Sequence, residues 1–144
     1  MFLPENKPRT RLRPKPPGQN QLVWFSLMIA VGSFLPWVST GFGNISGATG
    51  MGAGYWTFIA AALGMAGGLM PWRKVAITHA WIVAAVAIAL PVWQVLHLYS
   101  LVGFGGWRPG IGLVLVFFGG LFCVKAARTM MSYELVPASS PVAA

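Results

Sequence analysis

Residues 55–101 read YWTFIAAALGMAGGLMPWRKVAITHAWIVAAVAIALPVWQVLHLYSL, two apolar segments separated by the basic pair Arg73–Lys74. Neither segment, 55–72 or 75–101, contains Asp, Glu, Lys or Arg. A helix that crosses a bilayer takes about 20 predominantly apolar residues. Backbone groups in hydrocarbon must be paired internally, which favours helices. A link of two residues is too short to carry the chain back across the membrane. We therefore predict two membrane-spanning helices that run antiparallel.

Two further apolar segments flank this pair, QLVWFSLMIAVGSFLPWVST at 21–40 and IGLVLVFFGGLFCVKAAR at 111–128. None of the four segments shows the alternation of polar and apolar residues that is typical of a transmembrane β-barrel strand. We therefore predict an all-α membrane protein, a four-transmembrane-helix bundle over residues 21–128. Its predicted spans are 21–40, 55–72, 75–101 and 111–128, and Pro91 predicts a kink in the third.

The composition favours a surface that faces lipid. Charged residues make up 8% of the chain, hydrophobic residues 56%, and the mean hydropathy is +0.68. Soluble domains typically contain about 25% charged residues, so this chain has too few to cover a surface in contact with water. We predict that the lipid bilayer is its main partner and the cell membrane its location.

The basic residues predict the orientation in that membrane. The N-terminal arm, the Arg73–Lys74 link and the Lys125–Arg128 end of the fourth span fall on one side of a four-span topology, whereas Arg108 falls on the other. Because Lys and Arg are enriched in cytoplasmic segments, we predict a multi-pass protein with both termini in the cytoplasm. Trp37 is then expected in the aromatic belt at the outer interface.

The two ends of the chain differ in composition from the apolar centre. Residues 1–20 contain five prolines and five basic residues, which predicts a disordered cytoplasmic arm attracted to anionic lipid. Its lack of aromatic residues beyond Phe2 argues against binding of nucleic acid. Residues 129–144 are expected to form a flexible cytoplasmic tail.

A glycine-rich link, GFGNISGATGMGAG at 41–54, joins the first two spans and contains six glycines. A phosphate-binding P-loop would need the pattern G-x-x-x-x-G-K-[ST] after a strand, and the link contains no lysine. The spacing of a dinucleotide-binding turn is absent as well. We predict a compact outer loop that binds no nucleotide.

Chemically reactive side chains are few. The only carboxylate side chains are Glu5 and Glu134, both in the predicted tails, and Cys123 is the only cysteine. Paired-carboxylate catalysis, disulfide chemistry within the chain and a thiolate zinc site all lack their residues. We predict a protein that is not an enzyme and holds no cofactor or metal.

Three polar residues near the outer end form a candidate site. Gln94 and His97 share a helix face at spacing i, i+3, and Arg108 follows in the next link. Such a cluster could line an outward-facing cavity for an anion. The alternative is that these residues are interfacial or form hydrogen bonds between helices. His79 and His97 lie about 27 Å apart along one helix, so one chain cannot use both on a single haem or metal, although each could pair with its copy across a symmetric dimer interface.

Small residues recur at spacing four in three of the spans, a pattern that lets helix backbones approach closely in membranes. The packing could be within this chain or against another subunit. The predicted helix-packing residues are Ala60, Gly64 and Gly68 in the second span, Ala76, Ala80 and Ala84 in the third, and Gly119, Cys123 and Ala127 in the fourth.

The LPW sequence at Leu35–Trp37, followed by the glycine-rich link, resembles small uncharacterised bacterial four-span integral membrane proteins. The resemblance covers the first two spans and implies a four-span fold without implying a function. The paired cysteines of four-span disulfide-forming oxidoreductases, the first-span glutamate of small multidrug exporters and the loop cysteines of tetraspanins and claudins are all missing.

Three functions are compatible with these features. The first is a non-catalytic accessory or assembly subunit of a larger membrane complex, such as a respiratory complex, in contact with other membrane subunits or with copies of itself. The second is a homo-oligomeric channel or transporter for small solutes or anions. The third is a haem-binding redox subunit that uses His79 or His97. We favour the first, because the residues required for chemistry are missing.

Overall fold

The computed structural model describes residues 17–133 and is mostly helical. Its elements in chain order are α1 (Gln19–Phe34), β1 (Pro36–Thr40), β2 (Gly43–Ser46), a 3₁₀ turn (Thr49–Met51), α2 (Ala53–Leu69), α3 (Arg73–Val102), β3 (Trp107–Pro109) and α4 (Ile111–Ser132). The four helices form a ring in which α1 and α3 each contact both α2 and α4 and lie diagonally opposite each other. The predicted arm up to residue 16 and the tail from residue 134 lie outside the described residues.

The first helix is shorter than predicted. It ends at Phe34, and residues 36–40 form β1 instead of extending the helix to residue 40. The physical reason is Pro36, which has no N–H and disfavours helical backbone at the residue before it. Leu35 accordingly has extended backbone, with φ −72° and ψ 164°. The predicted all-α class is corrected to a mostly helical one with a small sheet.

That sheet joins the two links predicted as loops, 41–54 and 102–110. It has three antiparallel strands in the order β2-β1-β3, and Ser39 of β1 is opposite both Asn44 of β2 and Arg108 of β3. We call it the cap sheet, because it covers one end of the bundle. Glycine is usually depleted in strands, which is why the sequence predicted no strand at β2 or β3, while β1 was predicted as the end of the first span.

At the other end of the bundle, the starts of α1 and α3 contact the ends of α2 and α4. Gln19, predicted to lie in the arm, is buried in the first turn of α1, and its Nε2 donates a hydrogen bond to the carbonyl of Met70, 3.3 Å away. The Arg73 guanidinium donates to the carbonyl of Met130. Residues 129–132, predicted as part of a flexible tail, are the last residues of α4.

Small side chains fill the interior and large ones cover the outside. The buried core contains seven alanines, at 30, 60, 61, 76, 80, 84 and 87, in its first three helices. Large apolar side chains are exposed on every helix, among them Trp24, Phe34, Trp56, Leu63, Trp93, Leu96, Phe118 and Phe122. A soluble bundle would hold such side chains inside.

Two helices, α3 and α4, are long and apolar enough to cross a membrane by length and composition. In their most apolar stretches only 33% and 44% of the residues are buried, unlike the core helix of a soluble protein. The helix α2 is apolar but shorter. The described residues are therefore compatible with a helical membrane protein. α3 continues through Pro91 as one helix of 30 residues.

Candidate functional site

Gln94, the first residue of the predicted polar cluster, lies beneath the cap sheet. It is half-buried and lines a small cavity of about 110 Å³ with Trp37, Ser46 and Thr49. His97, one turn further along α3, is exposed, and its ring stacks on Trp93 with centroids 6.1 Å apart. The two residues share a helix, as predicted, but His97 does not line the Gln94 cavity.

Arg108 lies in β3, at one edge of the cap sheet. It is exposed and lines a separate cavity of about 570 Å³ with the hydroxyl residues Ser39 and Thr40 and the aromatic residues Phe104 and Trp107. The structure thus places Gln94 and Arg108 in different cavities. A shared role of the cluster in binding an anion stays a prediction.

His79 lies near the opposite end of α3. Its Nδ1 is 2.8 Å from the carbonyl oxygen of Val75 on the preceding turn. The His79 side chain packs against Gly67 of α2, where an added Cβ would come within 2.6 Å of the Cβ of His79. Among residues 17–133, no group of three His, Cys, Asp or Glu side chains could hold a metal ion.

The predicted helix-packing residues all lie in the interior of the chain. The nine are Ala60, Gly64, Gly68, Ala76, Ala80, Ala84, Gly119, Cys123 and Ala127, and each is buried. A Cβ added at Gly68 would come within 2.6 Å of Val23 in α1, and one added at Gly119 within 2.5 Å of Ile29. These glycines therefore let α2 and α4 approach α1 closely.

Polar contacts inside the bundle connect α1 and α2. The hydroxyl oxygens of Ser33 and Thr57 lie 2.7 Å apart, so one donates to the other. Each also lies within hydrogen-bond distance of a carbonyl of its own helix, Ser33 of Ile29 and Thr57 of Gly54. Gln19, Ser26, Ser33 and Thr57 are the buried polar side chains among residues 17–133, and none of them lies on α3 or α4.

An apolar groove of about 540 Å³ runs along the outer face of α2 and α3. Its walls are the large side chains Trp56, Ile59, Leu63, Ile82, Val86 and Leu90, and its floor is formed by Ala60, Ala85 and Ala89. Ala60 is buried, whereas Ala85 and Ala89 are exposed between the larger side chains. We call this surface the α2/α3 groove. The sequence analysis assigned Ala60 to a packing face but missed Ala85 and Ala89. These two alanines become recognisable as part of a groove only when the structure shows the larger side chains Ile82 and Val86 beside them.

Sequence reasoning also placed Trp37 incorrectly. The residue is only 2% exposed and lies under the cap sheet, not in an aromatic belt facing lipid. The position of Trp37 directly after Pro36 was the available signal, because the chain must turn back at a proline that ends a helix.

The fold and its surface define a mostly helical protein whose two longest helices are suited to a membrane. Comparisons with protein-family models, with curated proteins and with solved structures found no match. The function is therefore argued from the geometry of this chain alone.

Proposed function

We propose that this protein is a four-span membrane protein that serves as a non-catalytic accessory or assembly subunit of a larger membrane complex, with the α2/α3 groove as the surface that receives a partner helix. In this proposal both termini lie on the cytoplasmic side of the cell membrane. The observation that carries it is the groove, an apolar depression on the outside of the bundle whose lining includes the alanines Ala60, Ala85 and Ala89.

The packing of the helices supports the proposal of four spans. If α3 and α4 cross the bilayer, α1 and α2 lie at the same depth, because each contacts its neighbours in the ring. Each also exposes large apolar side chains, such as Trp24 and Val31 on α1 and Trp56 and Leu63 on α2. At 16 residues, α1 is about 24 Å long, so the cap sheet would lie at the outer interface and complete the span.

The orientation is supported by the end of the bundle at which the basic residues lie. Arg73, Lys74, Lys125 and Arg128 lie at the end opposite the cap sheet, which carries Arg108. The positive-inside rule then directs the cap sheet outward.

The groove is suited to another helix for a physical reason. Hydrophobic burial gives no driving force between helices in lipid, so helices associate through close packing at small residues. Ala85 and Ala89 are one turn apart and exposed, and the side chains of Trp56 and Leu90 rise on either side. A partner helix would gain contacts there that flexible lipid chains provide less well.

The bundle interior does not favour the alternative of a channel through the four helices. The buried polar side chains of the described residues come from α1 and α2, and the inner faces of α3 and α4 contribute apolar residues such as Val83, Ala87 and Val116. A pore would need polar groups along its full depth.

The experiment is purification of the tagged full chain from its native membrane in mild detergent, with mass spectrometry of the proteins that accompany it. We expect stoichiometric partners, and we expect Ala85→Trp to remove them by filling the groove. The matched control is Ala62→Trp, an exposed alanine of α2 that does not line the groove. Equal recovery of partners with both variants, or a wild-type chain without any partner, would refute the proposal.

A further inference from the structure

The last turns of α4 form a second concave surface, of about 580 Å³, whose lining changes from apolar to basic along the helix. Leu121 and Val124 lie at its apolar end, followed by the cations Lys125 and Arg128 and the hydroxyl groups of Thr129, Ser132 and Tyr133. We call this surface the basic pocket. It was not among the sites that the sequence indicated.

Among the residues that the structure describes, the cations of the basic pocket have no carboxylate beside them; Glu134, which follows Tyr133 in the sequence, lies outside the described residues. The two carboxylate side chains of the sequence are at positions 5 and 134, so no Asp or Glu lies within residues 17–133. Lys125 and Arg128 are both exposed. The Thr129 hydroxyl donates to the Lys125 carbonyl, 2.9 Å away, so the donors to a ligand would be the two cations and the hydroxyls of Ser132 and Tyr133. Such a set favours a negatively charged oxygen ligand, because hydrogen bonds from charged donors to phosphate are the strong ones.

The end of a helix would ordinarily weaken an anion site. The carbonyls in the last turn of α4 carry partial negative charge. Here the Arg73 guanidinium, from the start of α3, donates to the carbonyls of Met130 and Met131, the latter at 3.4 Å. These two carbonyls therefore face a cation of the chain, and less negative charge remains to repel a ligand at Lys125 and Arg128.

The order of the lining residues matches an amphiphile. Positions 121, 124, 125 and 128 lie at spacings of three and four, which places them on one face of the helix. The apolar end points toward the middle of the bundle, and the basic end lies in its final turns. Resting on the membrane placement proposed above, we infer that the basic pocket binds the phosphate group of an anionic phospholipid, with Leu121 and Val124 beneath its acyl chain.

This inference goes beyond a general attraction of basic residues to anionic lipid. A diffuse positive surface would depend on every cation at this end of the bundle. At a specific binding site, the affinity for the lipid should depend on Lys125 and Arg128 and much less on Lys74, which is exposed at the same end but does not line the pocket. The N-terminal arm is unchanged in every variant, so its contribution cancels in the comparison.

The test is native mass spectrometry of the delipidated full chain in detergent, titrated with phosphatidylglycerol and, separately, with phosphatidylcholine. We expect tight binding of one phosphatidylglycerol and weak binding of phosphatidylcholine. The double variant Lys125→Gln/Arg128→Gln should weaken phosphatidylglycerol binding by about tenfold or more, since each basic residue near an anionic lipid contributes about 1 kcal/mol. Lys74→Gln should change it by less than about twofold, so that the loss in the double variant exceeds the cost of removing any two basic residues at this end of the bundle.

Three results would overturn the inference: a loss of binding free energy in the double variant that is no more than twice the loss in Lys74→Gln, which indicates diffuse charge; equal affinity for the two lipids; or binding of glycerol phosphate that is as tight as that of the lipid, which identifies a soluble phosphate as the source. The double variant should still recover protein partners, because the α2/α3 groove is unchanged. Failure of the lipid site is thereby separated from failure of the proposed function.

Discussion

The indole Nε1 of Trp37 donates a hydrogen bond to the carbonyl oxygen of Gly32, at 3.0 Å. In an uninterrupted helix that carbonyl would accept from the N–H of residue 36, but residue 36 is proline and has none. Trp37 therefore replaces the donor that Pro36 removes. Two further hydrogen bonds are made to carbonyls where α1 ends. The Ser46 hydroxyl donates to the carbonyl of Phe34 at 2.9 Å, and the Gly47 amide donates to that of Leu35 at 3.3 Å.

The first prediction concerns this replacement. Trp37→Phe retains an aromatic ring but leaves the buried Gly32 carbonyl without its indole donor, so we expect the free energy of unfolding to fall by about 1–3 kcal/mol. The measurement is unfolding by SDS in mixed micelles, followed by circular dichroism. Trp24→Phe is the control for the change of ring, because Trp24 lies on α1 and is 65% exposed. Equal losses from the two variants would show that the hydrogen bond contributes nothing beyond ring size.

The second prediction concerns the close contact of α1 and α4 beside that bond. A Cβ at Gly112 would come within 2.6 Å of the Gly32 carbonyl oxygen and 2.8 Å of the Leu35 carbonyl oxygen. Since both are backbone atoms, the helices would have to separate. We expect Gly112→Ala to destabilise the fold by about 1–3 kcal/mol, although alanine favours helix at an ordinary position.

Gly105→Ala is the control for that substitution, since an added Cβ at Gly105 meets nothing within 4 Å. Because Gly112 and Trp37 approach the same carbonyl oxygen, we also expect their effects to be non-additive in a double-mutant cycle. The same unfolding assay measures both quantities. A Gly112→Ala variant as stable as Gly105→Ala would contradict the packing described for α1 and α4.

The apolar segments predicted the positions of the four helices, and the structure has a helix in each of them. This part was predictable because hydropathy reports directly on which residues avoid water. The basic pair at Arg73–Lys74 correctly separated α2 from α3. What the sequence did not show was the cap sheet, whose strands β1 and β3 are far apart in the chain and become neighbours only when the helices pack. Local composition cannot report such a pairing.

The candidate sites depend in the same way on packing between elements. Gln94 and His97 lie on the same helix, but only Gln94 lines the cavity beneath the cap sheet. The cavity of Arg108 is formed by β1, β3 and the chain around them, so its lining could not be inferred from spacing along α3. The α2/α3 groove likewise needs two helices side by side before its alanines form one floor. Single-helix periodicity predicted the buried faces of the bundle and missed the outer surface that the proposed function uses.

The third prediction tests the membrane topology through labelling of single cysteines in intact cells. Asn44 is exposed in β2 of the cap sheet, and Lys74 is exposed at the start of α3 at the opposite end of the bundle. Because Lys and Arg concentrate at the Lys74 end, the positive-inside rule directs that end to the cytoplasm. We expect a membrane-impermeant maleimide to label Asn44→Cys in intact cells and to label Lys74→Cys only after the cells are permeabilised.

The wild-type chain is the background control, since its single cysteine, Cys123, is buried. The opposite pattern would invert the orientation, and labelling of both positions in intact cells would contradict a bundle whose two ends lie on opposite sides of one membrane.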